Sequence, residues 1–159
     1  MSAGYWDKEI KTSTWVVIEQ LGEVVGIAVA RWPDKEIDDY IDENRARFIE
    51  SVWIAPKFRG ICMGERLVNY LIEVESEKSP DVDEFMLWVF ENNKYAIGLY
   101  ERMSFNLVDE HRLEDGRIEL RYKFVLPDLP AKQATRMANE VAREKDVLQR
   151  SVTYRVLRS

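Results

Sequence analysis

A strand, a tight loop and a helix are predicted in direct succession by residues 48–78, FIESVWIAPKFRGICMGERLVNYLIEVESEK. The β-branched and aromatic residues up to Ile54 favour a strand, and Pro56, which has no N–H, ends its hydrogen-bond ladder. From Glu65 onwards, apolar residues recur at the spacing that places them on one face of a helix. These residues are Leu67, Val68, Leu71, Ile72 and Val74.

The loop at 59–64, Arg-Gly-Ile-Cys-Met-Gly, joins this strand to the helix. The first N–H groups of a helix have no carbonyl partner within it, and the helix dipole adds positive charge at the same end. Glycines let a ligand approach the backbone closely. The loop therefore predicts an anion site suited to phosphate, although an ordinary strand-to-helix turn remains open on these residues alone.

A second stretch, residues 87–105, reads LWVFENNKYAIGLYERMSF, a strand followed by an Asn-rich helix start and a short helix. Together the two stretches resemble the GNAT superfamily of N-acyltransferases. The family's loop pattern is Gln/Arg-x-x-Gly-x-Gly/Ala, which Arg59 and Gly64 match while Cys62 replaces the middle glycine. Its second pattern is matched by Val89, Asn93, Ala96, Leu99, Tyr100, Glu101 and Phe105, with Ser104 in place of a glycine.

The resemblance spans about residues 14 to 126 and implies an α/β fold. That fold has a mixed, mostly antiparallel sheet, with splayed central parallel strands and flanking helices. The residue patterns place strands at 14–20, 24–32, 45–54 and 85–90, and a hairpin at 105–110 and 118–126.

The resemblance also implies acetyl-CoA as cofactor and N-acetyl transfer to a primary amine by direct attack on the thioester, without a covalent enzyme intermediate. The acceptor would be a small molecule or a peptide. The implied cofactor-binding residues are Val52, Trp53, Ile54, Arg59, Gly60, Ile61, Cys62, Met63, Gly64, Glu65, Asn93, Ala96 and Tyr100. Val52 to Ile54 would pair with the pantetheine arm through their backbones, and Gly60 to Glu65 would hold the pyrophosphate.

Tyr100 matches the position of the family's general acid. A phenol suits this role because it is protonated at neutral pH and can donate its proton to a thiolate. A purely packing role for this aromatic side chain stays open. A carboxylate that often serves as base is replaced by Trp88. Glu50 is the best substitute, because it lies on the strand expected to bind the thioester and shares side-chain parity with Val52. A surface salt bridge or a water chain is the alternative.

The net charge of −6 argues against nucleic acid as a partner, because phosphate backbones call for clustered Lys and Arg. Binding of a polyanionic cofactor then needs local positive charge. The candidates are Lys57, Arg59, Arg66, Lys94 and Arg102. The sequence has only one cysteine and one histidine, too few to suggest a metal site built from these residues. No signal peptide or membrane-length apolar run is found, so a cytoplasmic protein is expected.

An acidic stretch at 34–44 predicts either a solvated surface or a collar that attracts a cationic amine. The catalytic domain is expected at 1–127, without the opening strand and helices usual in the family. A C-terminal extension at 128–159 carries a helix at 131–149 and a strand at 152–157. This strand either completes the sheet beside the first strand or exchanges with a second subunit, and the exchanged homodimer is favoured.

Two functional alternatives to the acetyltransferase follow from the departures at Cys62 and at the N-terminus. One is a non-catalytic acyl-CoA-binding regulator. The other is a structural dimer module that has kept the fold and lost the cofactor.

Overall fold

A computed structural model describes residues 13–34, 38, 41–42 and 44–157. The first strands are β1 (Ser13–Gln20), β2 (Glu23–Arg31) and β3 (Ala46–Ile54), followed by a 3-10 turn at Pro56–Phe58. Then come α1 (Met63–Lys78), β4 (Glu84–Phe90), α2 (Lys94–Arg102), β5 (Asn106–Arg112) and β6 (Ile118–Val125). The chain continues through α3 (Leu129–Arg150) to β7 (Val152–Leu157).

The strands form one seven-stranded sheet in the order β5-β6-β4-β3-β2-β1-β7. All neighbouring pairs are antiparallel except β3 and β4, which run parallel. The β3–β4 pairing starts at Ala46 and Glu84 and stops at Phe48 and Met86. Beyond that point the two strands separate and leave a gap between them. The expected mixed, mostly antiparallel sheet with splayed central parallel strands is confirmed.

The two faces of the sheet differ in what covers them. The helix face packs against α1 and α2, and its core includes Ile49, Ile54, Leu67, Leu71 and Leu99. The far face carries a smaller buried cluster of Ala46, Phe48 and Met86, against which Trp88 packs. The gap between β3 and β4 lies within the sheet, between its helix face and its far face.

A β-bulge in β3 changes which side chains face which side of the sheet. Val29 pairs with Glu50, but Ile27 pairs with Trp53, so β3 has one extra residue in this interval. Ser51 takes up the irregularity with φ of 52°, in the left-handed region. Glu50 therefore shares the far face with Trp53, while Val52 packs against the core of the helix face. The expectation that Glu50 and Val52 share parity is wrong, because it assumed an unbroken strand.

The C-terminal strand completes the sheet within its own chain. β7 lies antiparallel to β1, from Trp15 opposite Leu157 to Gln20 opposite Val152. Val152 is buried in the core of the helix face. β7 thus occupies the edge of the sheet beside β1. Exchange of this strand with a second subunit stays a prediction.

The helix α3 packs on α1 through polar side chains. Asn139 donates to Glu73 at 3.2 Å, and Arg143 forms an ion pair with Glu73 at 2.7 Å. Asp146, almost fully buried, forms an ion pair with Arg66 in the first turn of α1. The opposite side of α3 exposes apolar residues, namely Met137, Val141 and Leu148.

A buried charge network anchors the end of α1 to the sheet. Glu75 accepts from Arg47 at 2.8 Å and from Thr14 at 2.5 Å, and both charged side chains are almost fully buried. Because each partner is desolvated, removing one charge leaves the other poorly compensated.

Glu75→Gln is therefore expected to lower the free energy of unfolding by about 3 kcal/mol. Glu77→Gln is the matched control, since Glu77 lies on the same helix in an exposed ion pair with Arg136. The control is expected to cost less than about 1 kcal/mol. Chemical denaturation measures both, and equal losses in the two variants would contradict the argument.

Candidate active site

The loop before α1 presents a row of backbone donors. Gly60 and Cys62 both adopt left-handed backbone conformations, with φ of 77° and 64°. The first helical bond runs from the Arg66 N–H to the Cys62 carbonyl at 3.2 Å. Among the described residues, no backbone or side-chain acceptor pairs with the N–H groups of 60–65. Such a cradle at a helix N-terminus suits a pyrophosphate.

Cationic side chains near the cradle are largely engaged elsewhere. Arg59 donates from Nε to the Ile54 carbonyl at 2.7 Å, which ties the loop to the end of β3. Arg66 pairs with Asp146, and Arg102 pairs with Glu65 at 2.9 Å. The expectation that these arginines supply free local charge is corrected for Arg66 and Arg102, because both are neutralised by carboxylates. Attraction for an anion therefore comes from the N–H groups and the helix dipole, together with Lys57 and Arg59, which bond to neutral oxygens of Gln20 and Ile54.

Cys62→Gly is expected to raise the free energy of unfolding by up to about 1 kcal/mol, because a left-handed φ strains any residue with a Cβ. Its affinity for acetyl-CoA should equal or exceed that of the wild type, since the N–H donors are unchanged. Thermal unfolding and calorimetry measure the two effects. Weaker binding by this variant would show that the thiol side chain itself contributes to the site.

The strand edge beside the gap is free of sheet pairing on one side. Trp53 and Ile54 pair with Ile27 and Gly26 of β2. On the other side, no described residue of β4 pairs with β3 beyond Phe48. Backbone groups of 52–54 therefore have no described β4 partner on this side and can pair with the amides of a ligand. Their assignment to cofactor binding stays a prediction.

The N-terminus of α2 approaches the same region. The Asn93 side-chain oxygen accepts a hydrogen bond from the Ala96 N–H at 3.2 Å and thereby caps the helix. A Cβ on Gly64 would lie 3.5 Å from Leu99, which is ordinary contact and shows how closely α2 packs on the start of α1. Cofactor contacts by Asn93 and Ala96 stay predictions.

Tyr100 lies inside the helix-face core at the C-terminal half of α2. Its ring centroid is 5.5 Å from that of Phe105, and only 7% of the residue is exposed. Burial raises the pKa of Tyr100 to about 12. Its hydroxyl makes no hydrogen bond to any residue that the structure describes. A phenol held protonated and without a protein partner can donate to a ligand.

Glu50 lies on the far face, so the gap separates it from Tyr100. Its carboxylate forms an ion pair with Arg31, which also pairs with the buried Asp38 at 3.0 Å. The structure places the two proposed catalytic side chains on opposite sides of the sheet and does not bring them into contact. A base at Glu50 would act from the far side of the gap, with Arg31 holding its orientation.

Sequence reasoning missed the side chains of Arg31, Trp53 and Trp88 as parts of this region. Arg31 lies over the Phe48 ring at 4.5 Å and bridges two carboxylates. Trp88 faces the same side, with its ring 6.3 Å from that of His111. The replacement of a frequent family carboxylate by Trp88 was the one available signal. Most of the acidic stretch at 34–44 lies outside the described residues.

Beyond this site, the structure bears on three other kinds of functional feature, namely a surface groove, a metal site and a membrane-spanning helix. A groove of about 890 Å³ lies between α1, α3 and β6, but neither Tyr100 nor Glu50 lines it. Among the residues that the structure describes, no group of three or more His, Cys, Asp or Glu side chains could hold a metal ion. In the described part of the chain, no helix combines the length and apolar character needed to cross a membrane.

Comparison with known families agrees with this geometry. The model of the acetyltransferase (GNAT) family matches residues 2–105, about two thirds of the chain. The chain belongs to the GNAT acetyltransferase family. The match includes the cradle, the gap and α2, whereas β5, β6, α3 and β7 lie beyond it. The family uses acetyl-CoA, which fits the donors found at the start of α1.

Solved GNAT structures share the fold at low identity. A GNAT family acetyltransferase from Elizabethkingia anophelis with acetyl-CoA bound is 14% identical, with TM-score 0.60 over 79% of this chain and 84% of that one. Arabidopsis thaliana NAA60 in complex with acetyl-CoA is 22% identical, with TM-score 0.54 over 65% and 67% of the two chains. The ribosomal-protein-alanine N-acetyltransferase from Brucella melitensis is 23% identical, with TM-score 0.54 over 70% and 68%. Among curated protein sequences, none matches the chain.

Proposed function

We propose that this GNAT acetyltransferase moves an acetyl group from acetyl-CoA to a primary amine by direct attack. The observation that carries the proposal is the cradle of unpaired N–H groups at 60–65, which opens beside the gap between β3 and β4. A helix start with unpaired N–H groups and an unpaired strand edge lie next to each other there. A ligand that joins a pyrophosphate to an amide-bearing arm can use both at once.

Each part of the site has a distinct task in this proposal. Bound acetyl-CoA supplies an activated acetyl thioester. The cradle binds the pyrophosphate, and the backbone of 52–54 aligns the pantetheine arm so that the thioester carbonyl lies in the gap. The amine nitrogen bonds to the carbonyl carbon as the carbon–sulfur bond breaks. Tyr100 donates its proton to the departing thiolate.

The amine must lose a proton during the reaction, and Glu50 is the proposed acceptor, directly or through water. Arg31 holds the Glu50 carboxylate at the far-face entrance of the gap. Full activity of Glu50→Gln would therefore assign the proton to a water chain.

The acceptor is proposed to be a small-molecule or peptide amine. The similar Brucella melitensis protein bears the name of a ribosomal-protein-alanine N-acetyltransferase, which supports the peptide class, but its identity of 23% is low. A cytoplasmic location remains a prediction. The division of the chain into a catalytic domain at 1–127 and a C-terminal extension at 128–159 also remains a prediction.

Two measurements separate this function from its alternatives. Calorimetry with acetyl-CoA tests the cofactor site, and the structural-module alternative predicts no binding. Thiol release with a panel of primary amines then tests transfer, and the regulator alternative predicts binding without release above background. Absence of binding by wild type and by Cys62→Gly alike would overturn the proposal.

We also propose that the protein is a homodimer that pairs through α3. Ala134, Val141 and Leu148 follow one another at intervals of seven, the repeat of a helix seam, and all are exposed. Met137 and Leu148 are 68% and 84% exposed, while the inward side of the same helix is charged. This inverted amphipathicity supports a second copy of α3 as the partner, because identical seams can meet about a two-fold axis.

Leu148→Glu is expected to convert the dimer to a monomer, because it places a charge in the seam. Leu21→Glu is the matched control, since Leu21 is 93% exposed at the β1–β2 turn. Light scattering at several concentrations measures the mass of both variants. A monomeric wild type, or a Leu148→Glu dimer, would refute the pairing.

A further inference from the structure

Large aromatic side chains lie on the far face where the gap opens. Trp53 stands on the β3 side and is 44% exposed. Trp88 and Phe90 stand on the β4 side and are partly exposed. Deeper in the same face, Phe48 and Met86 are buried. Partly exposed aromatic surface therefore lies on both sides of the gap.

The bulge at Ser51 is the reason that Trp53 is there. In an unbroken strand, Glu50 and Trp53 would point to opposite faces. The extra residue in β3 puts both on the far face, opposite Val29 and Ile27 of β2. Ser51 accepts a left-handed φ of 52° to make this possible. A strained bulge that re-aims a tryptophan toward an entrance suggests a task in ligand binding.

An acceptor must approach from the far face. On the helix face lies the core that contains Ile54, Leu99 and Tyr100, and the cofactor cradle lies at the start of α1 on that side. On the far face, Trp53 and Trp88 stand on the two banks of the gap. Glu50 is the carboxylate beside them, and 41% of its side chain is exposed.

The charges around the two rings do not favour an anionic acceptor. Arg31 is compensated by Asp38 and Glu50. Arg121 lies 5.8 Å from the Trp88 ring centroid and pairs with Asp109 at 3.5 Å. The His111 ring also meets Trp88 edge-on. These contacts hold Trp88 in place. Asp38 and Glu50 together outnumber Arg31, so a net negative charge remains beside the gap to attract an ammonium.

We propose that Trp53 and Trp88 form an aromatic acceptor site, and that the acceptor is an arylalkylamine, a primary amine on a short carbon chain that ends in an aromatic ring. This inference rests on the proposed acetyl transfer. The acceptor ring packs against the two indoles, and the ammonium lies near Glu50 before it loses its proton. Trp53 and Trp88 are specificity-determining residues that do not act on the reacting atoms.

The test measures thiol release at saturating acetyl-CoA with three amines: 2-phenylethylamine, 2-cyclohexylethylamine and n-butylamine. We expect kcat/KM for 2-phenylethylamine to exceed that for n-butylamine by about tenfold or more, in the range that one apolar pocket supplies. The cyclohexyl compound has similar size without an aromatic ring, and an intermediate value is expected. Equal or better use of the aliphatic amines would overturn the inference.

Two variants locate the preference. Trp88→Leu should lower kcat/KM for 2-phenylethylamine about tenfold, leave kcat/KM for n-butylamine within about twofold, and leave acetyl-CoA affinity unchanged. Trp53→Leu should lower the ratio of the two kcat/KM values about tenfold. Trp32→Leu is the matched control, because Trp32 is 54% exposed but lies against Arg47, away from the gap. Equal losses of kcat/KM for both amines would refute the aromatic site. So would a loss in Trp32→Leu as large as the loss in the Trp53 and Trp88 variants.

The outcomes separate this inference from the function on which it rests. A wild-type protein that binds no acetyl-CoA and releases no thiol with any amine defeats the proposed function and the inference together. A protein that binds acetyl-CoA and acetylates aliphatic amines or peptides in preference to arylalkylamines keeps the function and loses only the aromatic site.

Discussion

Tyr100→Phe is expected to lower turnover about 100- to 10,000-fold, the usual contribution of a single general acid. Acetyl-CoA affinity should stay nearly unchanged, because phenylalanine keeps the ring that packs on Phe105. The reason for the large effect is the absence of a replacement donor. No described hydroxyl forms a hydrogen bond with Tyr100, which lies in a largely apolar core.

Single-turnover measurement of thiol release tests this result, with calorimetry for the cofactor. Tyr122→Phe is the matched control, because Tyr122 is also buried and its hydroxyl donates to Glu101 at 3.1 Å. This control removes a hydroxyl beside α2 without touching the proposed acid, and its turnover should stay within about threefold of the wild type. An unaltered rate for Tyr100→Phe would reduce Tyr100 to a packing residue.

The pH dependence gives a second check on the same residue. Burial raises the pKa of Tyr100 to about 12, so the hydroxyl keeps its proton well above pH 10. Ionisation of Tyr100 should therefore cause no fall in wild-type turnover near pH 10. A fall that is present in the wild type and absent in Tyr100→Phe is not expected. Such a loss would mean that the phenol ionises with its ordinary pKa and is more exposed in the working enzyme.

A chain ending at Leu126 is expected to lose most of the 5–15 kcal/mol that typically stabilises a domain of this kind. It lacks β7, so β1 becomes an edge with unpaired N–H and C=O groups. It also loses Val152 from the core and the ion pair between Asp146 and Arg66. Exposed Val16 and Ile18 would then favour aggregation.

Thermal unfolding and light scattering measure the effect of this truncation. A chain ending at Leu157 is the control, because it keeps every described strand. A truncated protein as stable as the full chain, with the same mass in solution, would show that α3 and β7 are an appendage. A truncated protein that stays folded but becomes monomeric would instead separate dimer formation from completion of the sheet.

Local patterns in the sequence were enough to predict most of the fold. Alternating and continuous apolar runs placed β1 to β4, because strand and helix periods are properties of short stretches. Loop chemistry at 59–64 predicted the anion site, since the N–H groups of a helix start are unpaired whatever the rest of the fold. The matches at Asn93 and Tyr100 predicted the family, which the family model confirms.

The tertiary structure decided what depends on residues that are distant along the chain. The bulge at Ser51 is set by pairing of β3 with β2, so the shared face of Glu50 and Trp53 was not readable from the periodicity of β3 alone. The neutralisation of Arg66 depends on Asp146, on a helix 80 positions away. The pairing of β7 with β1 depends on where α3 delivers the strand. Register and through-space charge pairing arise from long-range packing, and a local pattern carries no record of either.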